Sequence, residues 1–277
     1  MVLSYAKPMP ITKIARDARN VAIARATWGG SQNFLGARWV EYLVDSSPVK
    51  VREHVALRLL SLSPHYFYDP DIRAEAERNR LSRQVLADVL IAPHLNKAMR
   101  VLDYGCGPGY MSHAVAERVD HVYAVDISRG VLACAKALNG RSNITFLRPA
   151  EARQRAEIVD LAYSFAVVQH LRTETLLDVL GLIANRLRPD GGLFLHFAVP
   201  GQEGWRTEAE WTADQSMVGR AKLHYGLNCF GRSADEMKAL VTSCGFTNVM
   251  VQSLSGTIAV PGDDDIIHQH WLTARRS

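Results

Sequence analysis

One short segment, residues 101–109, constrains the fold of this chain more than any other, and it reads VLDYGCGPG. An apolar run that ends in an acid and passes into alternating glycines is typical of the turn between a parallel strand and the next helix. Glycine adopts a positive φ without strain and lets a ligand come close to the backbone. The following helix presents free N–H groups, which favour an anionic group. The segment therefore predicts a ligand-binding turn at the carboxyl edge of an α/β sheet.

The spacing of these glycines also separates two classes of nucleotide-binding loop. A dinucleotide-binding loop has the pattern G-x-G-x-x-G. Counted from Gly105 the third glycine falls on Tyr110, and counted from Gly107 it falls on Ser112. The chain instead has an acid followed by glycines at every second position, ending at Gly109. An NAD-dependent oxidoreductase is therefore disfavoured.

From about residue 98 onward, short apolar stretches alternate with helical patterns. The predicted strands are 99–104, 121–125, 144–147, 159–165, 193–199, 247–254 and 266–274. The predicted helices are 111–118, 129–138, 173–187 and 233–243, with a turn at 189–192. Such alternation implies parallel strands joined by right-handed crossovers. No helix separates the last two strands, so we expect an α/β fold with a mostly parallel seven-stranded sheet and an antiparallel C-terminal hairpin strand.

The first 95 residues have a helical pattern, which predicts an N-terminal helical cap over 1–95 and a sheet domain over 96–277. The predicted helices are 11–28, 33–43 and 49–62. A longer helix is expected to begin at Asp69, which Pro70 follows as at many helix N-termini, and to run to about residue 90. Its predicted buried stripe consists of Ile72, Leu81, Val85, Leu86 and Val89.

Composition excludes several classes of function. The formal net charge is +4, from 32 basic and 28 acidic residues, and the charges form no basic stripe that would bind nucleic acid. The four cysteines form no C-x-x-C pair, so no metal site is expected and a reducing compartment is indicated. No apolar run approaches the roughly 18 residues that span a bilayer. We therefore expect a cytoplasmic protein without membrane insertion.

A second acidic position supports a nucleoside ligand. Asp126 ends the second predicted strand, about 20 residues beyond the glycines, where a carboxylate can accept hydrogen bonds from both hydroxyls of a ribose. Ile127 follows it. The alternative is that Asp126 is an ordinary helix N-cap.

Together these features resemble the class I S-adenosylmethionine-dependent methyltransferase family, in particular its small-molecule members of methyltransferase type 11. The resemblance extends over about residues 98–277 and implies a Rossmann-like fold, with 96–277 as the S-adenosylmethionine-binding catalytic domain. It also implies that Asp103 helps to hold the amino group of the methionine moiety, while the glycine turn lets the cofactor approach. The implied cofactor-binding residues in this part of the chain are Asp103, Tyr104, Gly105, Cys106, Gly107, Gly109, Asp126 and Ile127.

Two later segments also fit this family. Family members often carry an acid–alanine pair after the third strand, and this pair binds the adenine. Here Pro149 occupies the position of the acid, so Ala150 and Glu151 are the adenine-binding candidates. Residues 160–171 resemble the fourth strand and the loop that faces the sulfonium, with Ser164 and Phe165 as cofactor-binding candidates. Residues 187–193, LRPDGGL, are similar to the family's turn before strand five.

The reaction implied is in-line methyl transfer, which needs a general base only if the nucleophile must lose a proton. The catalytic candidates are His170, after the fourth strand, and His224 and Tyr225, within a long insertion over 200–231. His196 lies within strand five and faces either the core or the site. The insertion's Trp205, Trp211 and Phe230, with the loop Tyr66–Tyr68, either form an acceptor pocket or pack as a hydrophobic plug.

The predicted function is therefore methyl transfer from S-adenosylmethionine to a small-molecule acceptor, with oxygen favoured as the acceptor atom. Transfer to carbon or nitrogen, a macromolecular acceptor and a non-catalytic S-adenosylmethionine-binding protein are the alternatives. Neither the identity of the acceptor nor the oligomeric state can be read from the sequence.

Overall fold

The computed structural model describes residues 22, 35–63, 71–200, 205–224, 226–255, 258 and 269–277. Its helices are α1 Leu35–Ser46, α2 Val49–Leu60, α3 Ile72–Leu86, α4 Tyr110–Ala116, α5 Arg129–Asn139, α6 Pro149–Gln154, α7 Thr173–Arg186, α8 Glu208–Ala213, α9 Met217–His224 and α10 Ala234–Ser243. Its strands are β1 Arg100–Tyr104, β2 His121–Val125, β3 Ile144–Leu147, β4 Val159–Ser164, β5 Leu187–Phe197, β6 Phe246–Ser253 and β7 His270–Arg276.

The strands form one seven-stranded sheet in the order β3-β2-β1-β4-β5-β7-β6. Strands β1 to β5 pair in parallel, whereas β7 runs antiparallel to both β5 and β6. This confirms the predicted mostly parallel sheet with an antiparallel C-terminal strand. The chain winds outward from β1 in one direction to β3 and then crosses back to β4, so the strand order reverses between β1 and β4. A ligand cleft is expected at the carboxyl ends of these two strands.

Both faces of the sheet are covered, as a parallel sheet requires. On one face, β1 and β4 pack against α3, α4 and the segment that follows α3, through buried residues such as Leu86, Ile91 and Tyr163. On the other face, the core is built from α7 and α10, with Leu180 and Met237 fully buried. The sheet therefore holds its carboxyl edge between two rigid layers.

The first two described helices pack on α5 rather than on the sheet. Val40 and Val44 of α1 share a buried cluster with Val131 and Cys134 of α5, and Leu60 of α2 joins them. Apolar contacts of this kind attach residues 35–63 to the sheet domain through α5. That residues 1–95 form a separate cap remains a proposal.

Helix α3 differs from its prediction at both ends. Asp71 is its N-cap, accepting hydrogen bonds from the backbone N–H groups of Arg73 and Ala74 at 3.1 Å, while Asp69 lies outside the described residues. The α-helix ends at Leu86 and continues as a π turn, Ala87–Ile91, and a 3-10 turn, Ala92–His94.

The predicted buried stripe of this helix was partly wrong. Leu86 is buried, but Leu81 and Val89 are 42% and 50% exposed. Glu75 and Ser82 are buried in their place. The helix is rotated relative to the prediction because its packing against α4, and not its own hydrophobicity, decides which face is covered.

The turn predicted at 189–192 was also wrong, since these residues lie inside β5. Val159 of β4 pairs with Leu187 and Leu161 pairs with Gly192, so β5 has extra residues opposite β4. Asp190 has φ 60° in this bulge. The paired residues Leu187 and Gly192 flank this bulge, so it stays within the strand despite its turn-forming sequence. Among the helices in the described part of the chain, none is both long and apolar enough to cross a membrane.

Candidate functional site

The glycine turn lies against the loop that follows β4. Gly105 has φ 81°, and a Cβ atom built there would lie 2.1 Å from Cγ2 of Val167. The backbone N–H groups of Gly105 and Cys106 both donate to the carbonyl of Val125, at 2.6 and 2.9 Å. The turn therefore crosses from the end of β1 to the end of β2, and only glycine fits beneath Val167.

Asp103 is buried at the carboxyl end of β1, with 2% of its surface exposed. Its Oδ2 accepts hydrogen bonds from the hydroxyls of Ser112 at 2.5 Å and Tyr163 at 2.9 Å. Burial raises the pKa of Asp103 to about 7, although both hydroxyls oppose that rise, and the nearby Asp126 adds to it. Asp103 is therefore poised to change charge near neutral pH.

Sequence reasoning missed both hydroxyl partners of Asp103. The signal for Tyr163 is a phenol inside an otherwise aliphatic strand, since a buried tyrosine hydroxyl usually needs a hydrogen-bond partner. Ser112 carries no comparable signal, because its role depends on how α4 lies above β1.

Asp126 joins the glycine turn to the end of β2. Its Oδ2 accepts from the backbone N–H of Gly107 at 3.0 Å, and its Oδ1 accepts from that of Ser128 at 2.9 Å. Burial raises the pKa of Asp126, while these backbone hydrogen bonds act in the opposite direction. The N-cap of α5 is Ser128, whose hydroxyl accepts from Val131, so the alternative of Asp126 as the helix cap is wrong. Each carboxylate oxygen has a second lone pair with which to bind a ligand hydroxyl.

The proposed adenine-binding residues lie after the ends of β2 and β3, at the carboxyl edge of the sheet. Ile127, beside Asp126, is 49% exposed and offers an apolar surface at the end of β2. Glu151 accepts from the backbone N–H of Arg148 at 2.7 Å and so caps its own helix, α6. That hydrogen bond is the largest cause that lowers the pKa of Glu151. Ala150, in the first turn of α6, is exposed. Both adenine candidates are thus exposed, but the Glu151 carboxylate is already engaged by Arg148.

The end of β4 continues the site toward β5. The Ser164 hydroxyl donates to the carbonyl of Tyr104 at 2.7 Å, which fixes β4 to β1 at this edge. Ala166 has φ 58°, a conformation that non-glycine residues rarely adopt. Its backbone N–H donates to Nδ1 of His196 at 3.2 Å, and the His196 ring stacks on Phe165 with centroids 4.1 Å apart. Strained backbone of this kind is concentrated at functional sites.

The catalytic candidates occupy different environments. His170 is exposed, and its Nδ1 lies 2.7 Å from the carbonyl of Asn228, an acceptor that assigns the proton to Nδ1. His224 is an exposed residue at the C-terminal end of α9. Tyr225 and the loop Tyr66–Tyr68 lie outside the described residues. Of the two catalytic candidates that the structure describes, only His170 belongs to the loop after β4.

The described part of the insertion is folded against that loop. Trp211 is buried and its indole N–H donates to the carbonyl of Cys229 at 2.8 Å. Phe230 is also buried, and its backbone N–H donates to the carbonyl of Gln169 at 2.6 Å. These two aromatic residues thus match the hydrophobic-plug alternative, while Trp205 is half-buried. The insertion holds the loop after β4 in place.

A buried arginine, which sequence reasoning missed, strengthens this connection. The Arg232 guanidinium donates to the carbonyls of Val168 at 3.1 Å and Leu171 at 2.6 Å. Its carboxylate neighbours are Glu208 and Glu236, each with an oxygen 3.8 Å from a guanidinium nitrogen. An arginine in an otherwise polar stretch carries no sequence signal of burial, so only the fold identifies it.

Comparisons with known proteins agree with this geometry. Residues 74–251 match the family model described as a methyltransferase domain, which is more than half of the chain. The trans-aconitate 2-methyltransferase of Rhizobium leguminosarum bv. trifolii (strain WSM2304) is 33% identical over 125 residues, covering 44% of this chain and 46% of the relative. The malonyl-[acyl-carrier protein] O-methyltransferase of Bacillus anthracis is 31% identical over 111 residues, covering 39% and 40%. The matches thus span less than half the length of these curated relatives.

Among solved structures, magnesium protoporphyrin IX methyltransferase from Synechocystis PCC 6803 with bound SAH is similar in fold. It superposes with a TM-score of 0.50 at 18% identity, covering 76% of this chain and 89% of that one. At this level of identity the likeness concerns the fold, which agrees with the sheet order described above.

Proposed function

This chain belongs to the methyltransferase domain family, and from that premise we propose that it is an enzyme that transfers the methyl group of S-adenosylmethionine to a small-molecule acceptor. The observation that carries the proposal is the hydrogen bond between the Asp126 carboxylate and the Gly107 N–H, at 3.0 Å. This hydrogen bond joins Asp126, an acid that can bind ribose hydroxyls, to the glycine turn, which can bind the carboxylate of a methionine moiety. One ligand that contains both groups is S-adenosylmethionine.

The residues at this edge fit such a ligand. Asp126 would bind the ribose hydroxyls with its remaining lone pairs, and Ile127 would pack on the adenine ring. Gly105, Gly107 and Gly109 would let the methionine moiety approach the backbone, and Asp103 would face its ammonium group. Ala150 would offer its backbone to the adenine edge. The other proposed contacts are Tyr104, Cys106, Glu151, Ser164 and Phe165.

When bound, S-adenosylmethionine supplies a methyl group already activated by a sulfonium. The chain's own residues then have to orient the acceptor and exclude water. Val167, which covers Gly105, and Phe165 close the site between β1 and β4. The insertion stabilises this closure, because Phe230 and Arg232 hold the loop over residues 168–171 by its carbonyl groups.

Oxygen is the acceptor atom that we propose, in agreement with the O-methyltransferase name of the Bacillus relative. A hydroxyl acceptor must lose a proton, and we assign the role of proton acceptor to His170, which lies in the loop after β4. Because Nδ1 of His170 donates to Asn228, the ring nitrogen that can accept a proton is Nε2. His196 is unsuited to that role, since burial lowers its pKa to about 3.

Calorimetry with S-adenosylmethionine, S-adenosylhomocysteine and NAD tests the cofactor proposal. We expect both sulfur ligands to bind and to stabilise the fold by about 2.7 kcal/mol at 100 times the dissociation constant. Asp126→Ala should weaken their binding about tenfold or more. Asp120→Ala is the matched control, because this exposed acid lies just before the opposite end of β2.

Each outcome has a distinct meaning. Stabilisation by NAD alone would refute the cofactor proposal, and equal affinity of Asp126→Ala and wild type would remove Asp126 from the site. Screening acceptors with labelled S-adenosylmethionine then tests catalysis. Cofactor binding without transfer to any acceptor would indicate the non-catalytic alternative.

A further inference from the structure

Asp103 is held through one of its two carboxyl oxygens. The hydroxyls of Ser112 and Tyr163 both donate to Oδ2, at 2.5 and 2.9 Å. Oδ1 accepts no hydrogen bond from the residues that the structure describes, yet it is not one of the fully buried atoms that lack a partner. The 2% of Asp103 that remains exposed therefore includes Oδ1. One oxygen is anchored by the protein, and the other is left for a ligand.

The two hydroxyls come from separate elements. Tyr163 is the residue opposite Asp103 in the register of β4 and β1, and it is fully buried in the core on that face of the sheet. Ser112, also fully buried, lies in the first turn of α4. Each hydroxyl has a single proton to donate, and both protons are used on the same oxygen. The direction of the Asp103 carboxyl group is thus fixed by two neighbours that cannot move independently of the core.

Within the described part of the chain, no cation pairs with this carboxyl group. Its ionisable neighbours are Tyr163 of β4, Cys106 of the glycine turn and Asp126 after β2. Burial raises the pKa of the Tyr163 phenol and of the Cys106 thiol well above their ordinary values, so both stay neutral. Asp126 adds negative charge instead. A buried carboxylate without a counter-ion is costly, so the site favours a ligand that brings a positive charge.

The helical elements that pack on this face contribute apolar side chains to the core. These are Leu90 and Ile91 of the π turn after α3, and Met111 and Val115 of α4. The titratable residues of these elements contact other groups: Asp88 pairs with Arg118, His113 lies 2.8 Å from Arg141, and the guanidinium of Arg83 lies over the ring of Phe165. The charge of this part of the site therefore depends on Asp103 and on what binds beside it.

We propose that Tyr163 and Ser112 are positioning residues, which direct Oδ1 of Asp103 toward the ammonium group of bound S-adenosylmethionine, and that cofactor binding expels the proton of Asp103. This inference rests on the proposed function and adds two residues and a proton to cofactor binding. In the free protein, burial raises the pKa of Asp103 to about 7, so many of these carboxyl groups are protonated at neutral pH. An ammonium group beside Oδ1 favours the carboxylate. The O–H bond then breaks, its electron pair stays on the carboxylate, and the proton passes to solvent.

The sign of the pH dependence follows from this exchange. Only the carboxylate pairs with the ammonium group, so the affinity is complete well above pH 7 and falls as the pH drops through 7. Below the pKa of Asp103 it falls about tenfold for each pH unit. Each hydroxyl stabilises the carboxylate and so lowers its pKa. Loss of either hydroxyl should therefore move the loss of affinity to higher pH.

Calorimetry of the full chain with two ligands tests the proposal. S-adenosylhomocysteine carries the amino-acid part with its ammonium group, whereas 5′-methylthioadenosine retains the adenine, the ribose and the sulfur but lacks that part. Any effect of Asp126 on the ribose is therefore common to both ligands. Affinities are measured between about pH 5.5 and about pH 8.5, and buffers with different enthalpies of protonation give the number of protons released.

Three variants address the carboxyl group directly. Tyr163→Phe and Ser112→Ala each remove one hydroxyl, and Asp103→Asn removes the titrating group. Tyr123→Phe is the matched control, because Tyr123 lies opposite Leu102 in the register of β2 and β1, and so on the other face of the sheet from Asp103. Thermal unfolding shows which variants are folded, and Ser112→Ala gives an independent test if Tyr163→Phe is not.

We expect wild type to bind S-adenosylhomocysteine about tenfold or more tightly at pH 7.5 than at pH 5.5, and to release about half a proton at pH 7. 5′-Methylthioadenosine should show neither effect. Tyr163→Phe and Ser112→Ala should each weaken S-adenosylhomocysteine about tenfold at pH 6, release nearly a full proton at pH 7, and approach wild-type affinity as the pH rises. Asp103→Asn should release no proton, and Tyr123→Phe should behave as wild type.

The inference is overturned if both ligands release equal numbers of protons, while the proposed function then stands. It is also overturned if Tyr163→Phe and Ser112→Ala match Tyr123→Phe, or if they lose the same fraction of affinity at every pH, as a purely structural role predicts. Binding of 5′-methylthioadenosine alone would remove Asp103 from the site but keep the adenine and ribose contacts. Failure of both ligands to bind would refute the proposed cofactor site and the inference with it.

Discussion

The hydroxyl of Tyr163 donates a hydrogen bond to Oδ2 of Asp103 at 2.9 Å, between two residues that face each other in the register of β4 and β1. Ser112 donates to the same oxygen from α4. The acid at the start of the glycine turn is thus held from two elements, although burial still raises its pKa to about 7. The stability of this edge therefore depends on the protonation of one carboxyl group.

The first prediction concerns the pH dependence of folding. Because the pKa of Asp103 is about 7 in the folded protein and near 3.8 when unfolded, the folded state retains a proton that the unfolded chain releases between these values. The contribution of Asp103 is therefore complete below about pH 4 and is lost as the pH rises through 7. Asp103→Asn should remove this slope, so that its free energy of unfolding relative to that of wild type improves from pH 5 to pH 8 by up to about 2.7 kcal/mol, which is two pH units at about 1.36 kcal/mol each. Urea unfolding at the two pH values measures it.

Asp120→Asn is the control for this experiment, since Asp120 is an exposed acid 3.6 Å from Arg100. Its relative stability should change little over the same range. An equal pH slope in wild type and Asp103→Asn would show that Asp103 ionises normally.

The second prediction concerns Gly105, whose φ of 81° and closeness to Val167 both exclude a side chain. Gly105→Ala should destabilise the turn by about 1–3 kcal/mol and weaken cofactor binding. Adding Val167→Ala should recover part of that loss by removing the clash, while the strain in φ remains. Thermal unfolding and calorimetry measure the two effects.

Gly181→Ala is the matched control, because a Cβ added at this glycine of α7 meets no atom within 4 Å. Alanine there should stabilise the helix by roughly 0.5–1 kcal/mol. If Gly105→Ala were as well tolerated, the turn would have to adopt another conformation in solution.

The third prediction concerns His170 and His224, the two histidines that the sequence offers as catalytic candidates. On a confirmed hydroxyl acceptor, His170→Ala should lower the turnover rate by roughly 10²–10⁴-fold, as expected for loss of a general base. His224→Ala serves as the comparison, since both histidines are exposed but only His170 lies in the loop after β4. Steady-state kinetics, with cofactor affinity as a reference, gives the answer. Normal turnover in His170→Ala would show that a group other than His170 takes the proton from the substrate hydroxyl.

The fourth prediction concerns Trp211, which is buried and bonded to the Cys229 carbonyl. Trp211→Ala should lower the free energy of unfolding by about 3–5 kcal/mol, as for other large core residues. Trp211→Phe should cost less, because it retains the ring and loses chiefly the hydrogen bond. Trp39→Ala, at a position 54% exposed, should have little effect. A Trp211→Ala protein with wild-type stability but impaired turnover would instead support direct contact with the acceptor.

Much of the fold could be predicted from local sequence. The bounds of β2 and β3 agree with the prediction. The helix predicted over 233–243 is α10, with Ser233 as its N-cap, whose hydroxyl accepts from the backbone N–H of Glu236. These features depend on short apolar runs and on residues three positions apart, so the information is contained in the segment itself. The same holds for the glycine turn, because the spacing of its glycines predicts where β1 ends and α4 begins.

Only the tertiary structure decided how the site is completed. Asp103 meets Tyr163 across 60 residues, Val167 covers Gly105, and Arg232 reaches the loop after β4 from the far end of the insertion. The rotated face of α3 was likewise set by its neighbours. In each case the energy comes from burial and from hydrogen bonds between distant segments, and no periodicity or spacing within one segment encodes which partner a buried polar group will find.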